Sequence, residues 1–229
     1  KHISYYRLSA YMYPFLADKP NHVFKVNTGF HDVLGLYLFD KRLRALIFDA
    51  IAEIEISFRT TIVYTLAHSA GAFWISDADL FFNKKKHSEH LMKLQEEINR
   101  SDEKYLAHFR AKYSNPLPPV WMSLEIASFG LVSQLFNNIH DNQYRRAIAR
   151  VYGLQPVVFA SWIHTLAYIR NICAHHARLW NRKIRIEPVI PRSSIVGWEI
   201  GAAVDNRRLF FSLAIISFFL NRISPKNRF

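Results

Sequence analysis

The strongest constraint on this chain is a stripe of apolar residues at helical spacing. Leu43, Leu46, Ile47, Ala50, Ile51, Ile54 and Phe58 recur at i, i+3, i+4 and i+7, which lines them along one face of an α-helix. The stripe predicts a long helix over about residues 40–69, with Gly71 as its stop. Apolar residues elsewhere follow the same period rather than strand alternation. With only 7 glycines, the chain reads as all-α: a helical bundle with additional helices and a basic surface.

On either side of that helix the punctuation is clear. "SYYRLSAYMYPFL" predicts a short aromatic helix and "ADKPNHVFKVNTG" a loop. "KKKHSEHLMKLQEEINRSDEKYLAHFRAKY" predicts two helices with Ser101 and Asp102 as the cap between them, its lysines forming a solvated face. The prolines of "NPLPPVW" force an extended connection. Helices are then expected over about 121–139, 141–152 and 155–177, followed by the loop "RIEPVIPRSSIVGWEIG" and a last helix from about Asp205 to Arg222. One domain is expected over 1–229: an N-terminal helix and loop (1–28), a core bundle (29–182), and a loop with a C-terminal helix (183–229).

Thirty Lys and Arg against 18 Asp and Glu give a formal net charge of +12, which favours a polyanionic partner, nucleic acid first. The single Cys173 excludes an internal disulfide and, with no secretory leader, suggests a reducing, cytoplasmic setting. The chain opens at Lys1 and reads as a fragment. Its greasiest run, "LFFSLAIISFFL", falls short of the roughly 20 residues that span a bilayer, so a buried helix and no membrane partner are expected. No Gly-rich phosphate loop is present.

The chemistry concentrates in "YIRNICAHHARLWNR", residues 168–182. Phe159, Trp162, Ile163, Leu166 and Ile169 make a core stripe whose next turn arrives at Arg170 and Cys173. A neighbouring row, His164, Tyr168, Asn171, His175, Arg178 and Arg182, shares one face if the helix continues. Imidazole beside guanidinium and carboxamide suits phosphate chemistry, since His exchanges protons near neutral pH and Arg grips phosphoryl oxygens. The bland alternative is a set of helix-bridging polar groups. A zinc site at Cys173, His175 and His176 fails because adjacent helical residues diverge and no second thiolate exists, so no metal or other cofactor is expected. Cys173 reads as a small core filler. Glu55 and Arg59, spaced i, i+4, form either an exposed pair or a device in which Glu55 orients Arg170 or His175 across the bundle. Arg170 and His175, five residues apart, stand about 140° from each other on an ideal helix, so they converge only through side-chain reach, a distorted helix end or a second subunit.

"RNICAH", Arg170 to His175, resembles the Arg, polar residue, three spacers, His signature of HEPN domains. "YYRLSAYMYPF", "LYLFDKRLRALIFDAIAEIEISFRT", "PPVWMSLEIASFGLVSQLF" and "SWIHTLAYIRNICAHHARLWNR" together resemble the abortive-infection family of the AbiD/AbiF type. The resemblance implies a HEPN-type bundle and a toxin-like, metal-independent endoribonuclease of bacterial anti-phage defence or a toxin–antitoxin system. It assigns catalysis to Arg170, Asn171 and His175 at a composite site of a homodimer, with attack of a ribose 2′-oxygen on the adjacent phosphate. His176, Arg178, Asn181 and Arg182 match the family motif as supporting or RNA-contacting residues. The alternative it implies is a non-catalytic RNA-binding module held by a regulatory RNA or an antitoxin.

Overall fold

The computed structural model describes residues 3–201 and 204–226. In chain order its helices are α1 (Tyr5–Met12), α2 (Phe30–Ala70), α3 (Lys84–Arg100), α4 (Lys104–Lys112), α5 (Val120–Ile126), α6 (Phe129–Asn138), α7 (Asn142–Val151), α8 (Pro156–Ala174) and α9 (Leu209–Ile223). The fold is all-α apart from a small antiparallel hairpin, β1 (Leu16–Asp18) with β2 (Val23–Phe24), where a plain loop was expected. Asp18 builds that hairpin's turn by accepting the Asn21 N–H and side-chain amide, a local bond that hydropathy patterning does not register.

At the centre lies α2, 41 residues long. Ile47, Ala50, Ile51, Ile54 and Phe58 are buried as the stripe requires, and the line extends to Ile62 and Leu66. Leu43 is half-buried, and Leu46 is a departure: it sits off the line and faces solvent. The helix starts ten residues earlier than expected because the Asp32 carboxylate accepts the Gly29 N–H and steadies a new first turn. Gly71, at φ +85, closes it, its N–H returning to the Ala67 carbonyl.

Helices α1, α5, α7, α8 and α9 all pack on α2, while α3 lies on α5 and α6, and α6 on α8. Phe58, Phe136, Tyr152, Phe159, Trp162 and Phe219 meet edge-to-face or stacked in the middle. Such pairs add about 0.5–1.5 kcal/mol each beyond their burial. Phe211, Ile215, Ile216 and Phe219 bring α9 into the same continuous core. Among the described residues no helix is long and apolar enough to cross a membrane.

One expected helix, 121–139, is two. Ala127 and Ser128 are extended, and the break is held from outside: Arg59 Nη2 donates to the Ala127 carbonyl at 3.0 Å, and Glu97 accepts the Ser128 N–H at 2.9 Å. The freed backbone groups at the junction are thus taken by side chains of α2 and α3.

Candidate functional site

The motif sits where α8 ends. Phe159, Trp162, Ile163, Leu166 and Ile169 bury one side of α8 in the core, and Ile172 and Cys173 continue it. Burial pushes the Cys173 thiol up to about 11, so the buried sulfur has the character of a core filler rather than a thiolate nucleophile. The helix stops at Ala174, three residues short of the expected end. His175 is its C-cap and His176 is left-handed at φ +54, which reverses the chain. The Ala177 N–H reaches back to the Ile172 carbonyl, and the His176 N–H to that of Cys173, the paired bonds of a Schellman turn with a histidine in the position glycine usually takes.

That turn corrects the expected polar row. His164, Tyr168, Asn171 and His175 keep their line along α8, but Arg178 and Arg182 lie beyond the reversal and do not extend it. Asn171 and His175 are exposed, and neither side chain bonds to a described residue. Arg178 instead lines a cleft of about 630 Å³ with Tyr5, Tyr13 and Phe24, a set of ring faces beside a guanidinium. Asn181, left-handed at φ +50, is exposed, and Arg182 Nη1 donates to the Arg178 carbonyl at 3.2 Å.

Arg170 takes the intermediate position. Its side chain is 31% exposed, its Nε stands 3.6 Å from Glu55 Oε2, and its guanidinium lies over the Phe48 ring at 5.4 Å. The opposite oxygen of Glu55 accepts from Arg59 Nη2 at 2.7 Å. One carboxylate, 13% exposed, therefore separates two guanidiniums, with Arg59 (11% exposed) committed to α2 and the α5–α6 junction, and Arg170 at the rim. Glu55 thus reaches Arg170 across the bundle, while His175 receives no bond from it. Arg170 Nε is shielded from solvent yet lacks a hydrogen bond, since 3.6 Å is charge contact and no more. Arg170 and His175 share no bond within the chain.

Residues that the motif reading passed over hold this geometry in place. Asp40, fully buried, accepts from Tyr11 Oη at 2.5 Å, from the Arg44 guanidinium, and from the N–H groups of Leu179 and Trp180 at 3.2 and 2.7 Å. A buried carboxylate survives only with such a set of donors, and here they tie the part of the motif that follows the turn to α2. Burial, then the bond to Asp40, pushes the Tyr11 hydroxyl up to about 12. Arg7 Nη1 adds a bond to the His176 carbonyl at 2.9 Å, so α1 clasps the same turn. The readable signal was present: Asp40 and Arg44 occupy the apolar line of α2 about two turns and one turn before Ile47. Among the described residues no three His, Cys, Asp or Glu side chains are grouped to hold a metal ion.

A family model described as Abi-like protein matches residues 1–181, from before α1 through the motif as far as Asn181. The chain belongs to the Abi-like protein family. Membership places it among abortive-infection proteins. The matched stretch of this Abi-like protein holds Glu55, Arg59, the Asp40 anchor and every motif residue except Arg182. No curated protein and no solved structure matches the chain.

Proposed function

We propose that this Abi-like protein is a metal-independent endoribonuclease of HEPN type, acting in anti-phage abortive infection or as the toxin of a toxin–antitoxin pair. The observation that carries the reading is Arg170: a guanidinium at the solvent edge, paired with Glu55 and lying over the Phe48 ring, beside exposed Asn171 and His175. Such a group is oriented in advance for an anion, the arrangement that stabilises charge developing on a phosphate. The net charge of +12 favours the polyanion.

In this mechanism the ribose 2′-oxygen attacks the adjacent phosphorus, its proton passing to an imidazole. The P–O5′ bond breaks, a proton is delivered to O5′, and the products are a 2′,3′-cyclic phosphate and a 5′-hydroxyl end. His175 exchanges the proton, Arg170 neutralises charge on the phosphoryl oxygens, and Asn171 donates to the same group. Because Arg170 and His175 do not meet within one chain, the complete site is formed with a second copy of the chain. Arg178, with its aromatic cleft, His176, Asn181 and Arg182 contact the RNA on either side.

The protein incubated with labelled RNA in chelator is expected to yield cyclic-phosphate ends. His175→Ala is expected to lower the rate by about 10²–10⁴-fold without unfolding the protein. Cleavage that survives the substitution, or that depends on added metal, sinks the mechanism. The separation of Arg170 from His175 also favours a second reading, a non-catalytic RNA-binding module held by a regulatory RNA or antitoxin. That reading predicts salt-sensitive binding with no products in the same assay.

A further inference from the structure

A second polar site lies in a groove of about 420 Å³ where α3, α6 and α8 meet. From α3 come Lys86, His90 and Lys93, spaced i, i+4, i+7 and hence on one face, with Glu89 beside them. Gln134, Asn137 and Asn138 of α6 and His164 of α8 complete the lining. Lys86 belongs to the lysine run expected to form a solvated face. Two features set this groove apart from an ordinary solvated surface.

The first is His90. It is 6% exposed, yet its ring makes no hydrogen bond to any described residue, and its Nδ1 is shielded from solvent as well. A buried polar side chain without a partner is uncommon and calls for a ligand or an ordered solvent group to complete it. Its neighbour His87 shows the usual solution, with Nε2 bonded to the Ile75 carbonyl at 2.7 Å. The second is charge: neither Lys86 nor Lys93 forms an ion pair among the described residues, so both remain available to an anion. Glu89 offsets one of them, leaving the groove suited to the charge of one phosphodiester rather than of a polyphosphate. Burial, then the adjacent Lys93, lowers the His90 pKa, which leaves a neutral ring able to donate one N–H.

We propose that this groove binds one nucleotide unit of a single-stranded RNA, its phosphate between Lys86 and Lys93 against His90, its base on the carboxamides of Gln134 and Asn137. The proposal rests on the RNA reading of the motif and extends it with a second subsite. Continuity supports an RNA strand over a free nucleotide: His164 in the groove and Asn171 at the motif are both exposed and seven residues apart on α8, hence on one line and about 10 Å apart along the axis, with Tyr168 between them. A strand laid along that line passes from the groove to the motif.

The test uses a short 2′-O-methylated RNA oligonucleotide, which lacks the attacking hydroxyl and so reports binding without cleavage. By fluorescence anisotropy, Lys86→Ala combined with Lys93→Ala is expected to weaken its affinity about five- to tenfold and to reduce the salt slope by about one. Both lysines are exposed, so the fold is not at risk. In histidine ring NMR spectra the His90 and His164 signals are expected to shift with the oligonucleotide, and His90→Gln is expected to weaken binding as well. Unchanged affinity and slope in the lysine pair overturns the proposal, as does a wild-type protein that binds no RNA. Ring shifts produced by 5′-AMP but not by the oligonucleotide overturn it in favour of a free nucleotide. The two sites separate cleanly: cleavage with unaltered groove variants removes the groove and leaves the nuclease, whereas groove-dependent binding without any cleavage removes the nuclease and leaves the groove.

Discussion

His176 pays for the turn at the motif with its own backbone. A left-handed conformation costs an L residue about 1–2 kcal/mol, against about 0.4–1 kcal/mol for the extra freedom glycine has when unfolded. His176→Gly is therefore expected to raise stability by about 0.5–1 kcal/mol, read as a higher urea midpoint, while the Arg7 bond survives because it ends on the His176 carbonyl. At Tyr11 and Cys173 the folded state holds protons longer than the unfolded one, with pKa values raised to about 12 and about 11. Their contributions are whole below about pH 8 for the thiol and about pH 9 for the phenol, where both states are protonated. They fade as pH rises toward 11–12, because only the unfolded phenol and thiol have ionised. Urea midpoints are expected to hold to about pH 8 and fall beyond it, and Tyr11→Phe, less stable at pH 8, is expected to show a shallower fall. Arg170, Asn171 and His175 were legible in the sequence because polar side chains broke an apolar period. Asp40 shows in the sequence only as a charge on the apolar line of α2, because the groups it holds, Leu179 and Trp180, lie 139 and 140 residues away.

At the scale of elements, periodicity finds the helices and Gly71 marks the end of α2, but the break between α5 and α6 and the end of α8 escape it. The extended pair Ala127–Ser128 looks helical by pattern, since the groups that hold it come from Arg59, 68 residues upstream, and Glu97, 31 upstream. The end of α8 was misjudged for a different reason: histidine in place of glycine hides a Schellman turn from any rule based on residue type. The turn is held from two sides, by Arg7 on α1 and by Asp40 on α2. The two clasps act on different residues and can be told apart. Arg7→Ala is expected to cost about 0.5–1.5 kcal/mol and to speed amide hydrogen exchange around His176, while the Leu179 and Trp180 amides stay protected by Asp40. Equal loss of protection across residues 176–180 shows instead that the clasps are one unit.

Across the whole molecule, the family match and the hydrophobic core have different limits. The match ends at 181, but Phe211, Ile215, Ile216 and Phe219 of α9 are fully buried against residues inside it. A chain cut after Asn181 keeps every residue of the match, yet it uncovers Tyr152, Phe159 and Trp162, which α9 touches. Losing four such side chains at about 1.5–3 kcal/mol each exceeds most of the stability a domain of this size possesses. The cut chain is expected to lose its near-ultraviolet dichroism and to bind a hydrophobic dye, and a cooperative melt would contradict this. The same packing has a consequence for the order of synthesis. α2 leaves the ribosome with its apolar face bare, and α9, part of its cover, begins 139 residues after α2 ends. At about 5–20 residues per second that interval lasts roughly 7–28 s. Throughout it the nascent chain carries its motif on an unfinished scaffold, so any activity that depends on the assembled bundle is withheld until α9 arrives.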